Sequence, residues 1–247
     1  SNLSASPDAS QDAFLDHISF ELRTGEVLGI GGLMGAGRTE LLMHLFGAWG
    51  RRLAGKVMLQ GKPLPLGPPS RLVKEGMVLA SEDRRRYGLV LEHDVGFNLS
   101  LSSLEQFSRG GFLNHNKETR RNRDYFDSLR VKATGLEAVV GRLSGGNQQK
   151  VVLGKALMTG PRVIMLDEPT RGIDVGAKLE IYEIINRLTS EGKAVILVSS
   201  ELPELIGMSD RIVMLHEGRI GGEFTRREAT QEKLMAAAMG QQHVELT

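Results

Sequence analysis

The chain has 247 residues, of which 40% are hydrophobic and 25% charged, with a net charge of +1. That balance suits one sizeable globular unit with its own core, and it lacks the strong field that nucleic acid or an anionic membrane surface would require. The absence of cysteine excludes disulfides, thiolate metal sites and cysteine catalysis, and no apolar run is long enough to span a bilayer.

Residues 1–13 are rich in Ser, Ala and Asp and read as a linker or a remnant of a longer polypeptide. Over 14–22 the alternation of Phe14, Ile18, Phe20 and Leu22 predicts a strand, with Phe14 as a core residue. A turn at 24–26 leads to a buried strand at 27–30, then to a glycine-rich stretch and a helix over 38–46 that stops at Gly47. A strand at 56–60, a proline-rich loop at 63–69 and a strand at 76–80 follow. Residues 97–145 have helical spacing and few strand formers, and predict an inserted helical subdomain. Helices over 148–158 and 175–188 flank a strand at 163–166, and strands at 194–198 and 211–215 precede a last helix opened by Thr230 and closed by Gly240. Strands alternating with helices predict an α/β fold with a mostly parallel sheet, an antiparallel β lobe and the helical insertion.

Three motifs carry chemistry. Gly32-Leu33-Met34-Gly35-Ala36-Gly37-Arg38-Thr39 fits the phosphate-loop pattern except for Arg38 in place of lysine. Glycines let backbone N–H groups wrap phosphate, and the following helix presents its N-terminus to the anion. Gly32, Gly35, Ala36, Gly37, Arg38, Thr39 and Glu40 are the expected nucleotide contacts, and the Thr39 hydroxyl is placed to reach Mg²⁺. Arg38 is planar and longer than lysine, so retained binding with impaired hydrolysis is expected. The apolar strand at 163–166 ends in Asp167 and Glu168: Asp167 is the expected Mg²⁺ partner and Glu168 the group that orients or activates water. Leu143, Ser144, Gly145, Gly146, Asn147 and Gln148 open a second helix with anion-binding character. A single nucleotide does not need two such helices from one domain, so this one is expected to face a nucleotide held by another.

In this order the motifs resemble those of ATP-binding-cassette ATPases. Further phrases narrow the likeness: Ser81-Glu82-Asp83-Arg84, the run Pro169-Thr170-Arg171-Gly172-Ile173-Asp174, and Val198-Ser199-Ser200-Glu201. Together they resemble the C-terminal cassette of bacterial monosaccharide importers, with a tail most like the ribose type. The resemblance implies ATP and Mg²⁺ as ligands and an N-terminal cassette on the same polypeptide. It also implies a transmembrane permease dimer, a periplasmic sugar-binding protein acting indirectly, and a place at the cytoplasmic face of the bacterial inner membrane. Glu82 would lie in the loop that couples nucleotide to permease, Asp174 in a loop that contacts the partner cassette, and Ser200 at the γ-phosphate. Where the general pattern has lysine, glutamine and histidine, this chain has Arg38, Glu82 and Ser200. All three departures touch this domain's own nucleotide, whereas the signature is unaltered. The expectation is a slow own site with a signature that acts in trans. The alternative is a nucleotide-binding or dimerisation module with little hydrolysis. A cassette acting on DNA or ribosomes would carry long coiled-coil or basic insertions, which are absent. Arg84, Arg85 and Arg86 read as a solvated run, with docking against a permease loop as the alternative; Trp49 reads as a packing residue and the methionines as gap-fillers.

Overall fold

The computed structural model describes residues 2–7, 13–65 and 67–241; the expected linker lies partly outside them, at residues 1 and 8–12. In chain order, β1 (Leu3–Ser6), β2 (Leu15–Ile18), β3 (Val27–Gly32) and α1 (Arg38–Leu45) are followed by β4 (Arg51–Ala54), β5 (Val57–Leu59), β6 (Lys62–Leu64), α2 (Pro69–Lys74) and β7 (Met77–Ala80). A wide π-helical turn at Arg84–Gly88 leads to α3 (Val95–Ser100), a 3₁₀ stretch at Leu101–Phe107, a small hairpin of β8 (Ser108–Arg109) and β9 (Phe112–Leu113), and α4 (His115–Ser128). Then come α5 (Gly145–Leu157), β10 (Val163–Asp167), α6 (Val175–Ser190), β11 (Ala194–Val198), α7 (Leu202–Met208), β12 (Arg211–His216), β13 (Arg219–Thr225) and α8 (Gln231–Ala238).

The main sheet has the order β13-β12-β3-β11-β10-β7, all neighbours parallel except the β12–β13 edge pair. Strands β10 and β11 are buried along their whole length, which is why they read as unbroken apolar runs and not as alternations. One core layer packs α3, α4, α5 and α6 against the sheet; the other packs α1 and the antiparallel β2-β1-β4 lobe. α7 and α8 cover the β12–β13 end.

Several expectations change. Leu3–Ser6 is not linker but the buried central strand of the lobe; a strand of two serines, one alanine and one leucine carries too little apolar signal to be read. Pro63 lies in β6, and Pro69 starts α2, where its missing N–H costs nothing. β4, β13 and α7 have no sequence counterpart above. Phe14 precedes β2, is partly exposed and meets Trp49 edge-on at 5.8 Å, so it is not a core strand residue. Met34 is 98% exposed and fills no gap.

Candidate nucleotide site and signature face

The phosphate loop is shaped by glycines. Gly32, Gly35 and Gly37 have φ of 153°, 81° and 95°, and a Cβ on Gly32 would stand 2.7 Å from the Leu215 carbonyl oxygen. Gly37 occupies the N-cap of α1, and Glu40 sits in its first turn. The loop joins the C-terminal end of β3, and β10 and β11 end beside it in the same sheet. This is where open parallel sheets place ligands.

The acidic strand end meets the loop there. Arg38 Nη1 donates to the Ser199 carbonyl at 3.0 Å and pairs with Glu168 Oε1 at 3.5 Å. Ser200 Oγ donates to Glu168 Oε2 at 3.1 Å. Glu168 has φ of 49°, an uncommon conformation for a side-chain-bearing residue, held by its N–H to the Val198 carbonyl at 3.0 Å. The sequence carried no signal for that backbone. Asp167 is buried, and neither of its oxygens has a hydrogen bond of normal geometry. Burial pushes its pKa up to about 6, aided by Glu168 and Glu82 and opposed by the nearby Thr39 hydroxyl and Arg38.

Two buried carboxylate oxygens without partners, beside a threonine hydroxyl, fit a hard divalent cation. Among the described residues no group of three or more His, Cys, Asp or Glu could hold a metal. A cation here would therefore rest on Asp167, Thr39 and the ligand's own phosphates, as Mg²⁺ sites commonly do.

The signature face is built separately. Ser144 is the N-cap of α5 but makes no capping bond; instead Asn147 Nδ2 donates to Ser144 Oγ at 2.9 Å. Lys132 N donates to Asn147 Oδ1 at 2.8 Å. Leu143 packs on the helical core layer, and Gln148 is buried with its Nε2 on the Val140 carbonyl at 3.2 Å. A Cβ on Gly146 would stand 2.5 Å from Ala177 Cβ, so α5 approaches the start of α6 at a distance only glycine allows. Asp174 caps α6 through Ala177 N at 2.9 Å, and that bond leads the causes that lower its pKa. Lys150, 1% exposed, pairs with Glu180 of α6 and donates to the Arg130 carbonyl at 2.8 Å. Sequence reasoning missed this buried lysine because its position in α5 looks like an ordinary polar one.

Glu82 forms an ion pair with Arg171. Arg85 and Arg86 are exposed as expected, but Arg84 is half-buried and bonded, so the solvated reading fails for it. Trp49 packs against Phe14 and His44, as expected.

The loop, the acidic strand end and the sheet order define a P-loop ATPase fold. Solved structures agree: a nucleotide-free ATP-binding cassette from an ABC transporter (TM-score 0.78, 21% identity, 96% of this chain and 98% of that one), and a cassette in its ADP conformation (TM-score 0.79, 22% identity, 96% of each). Residues 15–171 match the ABC transporter family, and the chain belongs to it. Among curated relatives, the xylose import ATP-binding protein XylG of Moorella thermoacetica is 53% identical over 234 residues, covering 95% of this chain and 46% of the relative. That of Geobacillus kaustophilus is 52% identical over 223 residues, covering 90% and 44%. The chain thus spans just under half the length of these relatives. No helix among the described residues is long and apolar enough to cross a membrane.

Proposed function

We propose that the chain is the ATP-binding cassette of a bacterial monosaccharide importer, peripheral at the cytoplasmic membrane face. It would work with a second, N-terminal cassette on the same polypeptide, a transmembrane permease dimer and, indirectly, a periplasmic sugar-binding protein. The relatives' names support sugar import, and their length leaves room for another cassette. They are named for xylose and not for ribose, so the proposal stops at monosaccharide. The observation that carries it is the convergence of Arg38, Thr39, Asp167, Glu168 and Ser200 at one end of the sheet.

The phosphate loop would hold ATP by its N–H groups, the start of α1 and Arg38. Asp167 and Thr39 would hold Mg²⁺, which supplies charge neutralisation at the phosphates. Glu168 would orient the attacking water and accept its proton, while Ser200 fixes the carboxylate. Ser144 and the signature glycines would face the nucleotide of the second cassette, with Asp174 beside them, and Glu82 would sit at the coupling loop.

Within that function, this cassette's own site is slow and its signature serves the partner. The Arg38–Glu168 pair supports this: a guanidinium that engages the water-activating carboxylate competes with its role as a base. The same contact favours the second reading, a nucleotide-binding module with little hydrolysis. ATP turnover by the full two-cassette polypeptide with its permease decides between them. Turnover that rises with sugar and is lost on signature substitution supports transport. ATP binding without turnover in every assembly supports the second reading.

A further inference from the structure

Arg84 opens the wide turn at Arg84–Gly88 and takes no part in the reaction described above. Its guanidinium reaches three places. Nε donates to Gln148 Oε1 on α5 at 3.3 Å. Nη1 donates to the Arg171 carbonyl at 3.3 Å, three residues past Glu168. Nη2 lies 2.8 Å from where a Cβ on Gly145 would stand, so this signature glycine leaves the room that the guanidinium fills. Gln148 passes the contact inward through its bond to the Val140 carbonyl.

The other end of the turn is also tied to α5. Lys155 Nζ donates to the Gly88 carbonyl at 2.6 Å, from a largely buried position. Arg84 and Gly88 therefore grip α5 at Gln148 and Lys155, two helical turns apart. Between them Arg85, Arg86 and Tyr87 are exposed, and Tyr87 lines a groove of about 700 Å³ with Val73, Lys74, Ser102, Leu104 and Gln106. The grip at Gln148 lies in the first turn of α5, whose N-terminus carries Gly145 and Gly146.

We propose that Arg84 is a positioning residue: it fixes Gly145 and the signature end of α5 relative to the 84–88 turn and to the segment that follows Glu168. The inference rests on the transport reading above. Only a planar fork serves here, because the two hydrogen bonds and the seat beside Gly145 diverge from one group. A lysine reaches one of the three.

The test uses the full two-cassette polypeptide reconstituted with its permease in vesicles, with ATP turnover measured against ATP concentration. The variants are Arg84→Ala, Arg84→Lys, Gln148→Leu and the double Arg84→Ala/Gln148→Leu. Arg84→Ala is expected to lower kcat about tenfold, with KM for ATP within about twofold and thermal stability unchanged. Arg84→Lys recovers only part of the loss, and the double variant is no slower than Arg84→Ala, because the two residues act as one unit. Arg84→Lys carries the comparison should Arg84→Ala fail to fold. A wild-type rate in both Arg84 variants, or losses that multiply in the double variant, would overturn the proposal alone. A silent wild-type complex would overturn the transport reading and this proposal with it.

Discussion

The phosphate-loop face and the signature face are built on opposite principles. At the signature face the polar groups are partnered: Asn147 holds the Ser144 hydroxyl, Lys132 holds Asn147, and both Lys132 and Lys150 close on Glu180. At the phosphate-loop face, Asp167 is buried with no hydrogen bond of normal geometry, Glu168 has a positive φ, and Arg38 leans on Glu168. A satisfied network is rigid before anything binds, whereas uncompensated buried charge needs a ligand to complete it. The first is suited to the proposed role of presenting fixed donors to another domain's nucleotide. The second is suited to gripping a charged ligand, and its Arg38–Glu168 pair is the contact on which the proposed slow hydrolysis rests.

Substitutions sharpen that contrast. The largest effect is expected from Gly146→Val. Any Cβ there collides with Ala177, so α5 must retreat from α6, and a misplacement of about 1 Å costs about 100-fold in turnover by the proposed two-cassette protein. Lys150→Ala leaves Glu180 with a single cation and the Arg130 carbonyl without its donor. Urea unfolding should register a loss of about 3 kcal/mol. Arg38→Lys works in the opposite direction. By releasing Glu168 it should raise turnover at this cassette's own site about tenfold, read in a protein whose other phosphate loop is disabled. An unchanged rate would remove the link between Arg38 and slow hydrolysis.

The smallest expected effect lies away from both faces, at His44. Burial, with Arg52 nearby, holds its pKa below the usual 6.5, although its hydrogen bond to the Trp49 carbonyl favours the charged form. The folded chain then binds fewer protons than the unfolded one between the two values. Its contribution is complete above about pH 6.5 and declines as pH falls below it. Unfolding midpoints at pH 7.5 and 5.5 should differ less for His44→Gln than for the natural chain.

Much of this was legible before the fold was known. The phosphate loop, the acidic strand end and the signature are local in sequence, because each sits on one strand end or one helix start, where chemistry dictates residue type and spacing. The parallel core strands were legible for the same reason: a strand buried on both faces is apolar throughout. The lobe was not. Leu3–Ser6 becomes a strand only because β2 and β4 flank it, a contact that no local pattern encodes. Arg84 and Lys150 were also invisible, since an arginine in a basic run and a lysine in a polar helix turn look solvent-bound until tertiary packing covers them. The positive φ of Glu168 was hidden for a different reason: backbone strain leaves no trace in composition.

The contrast between the faces is tested most directly by two substitutions in the full two-cassette polypeptide with its permease, Ser144→Arg and Glu168→Gln, compared by ATP turnover. Ser144→Arg should abolish most of the turnover by spoiling the signature proposed to face the partner's nucleotide, while Glu168→Gln leaves most of it in place. Full turnover in Ser144→Arg together with its loss in Glu168→Gln would contradict the assignment of fast hydrolysis to the partner's site.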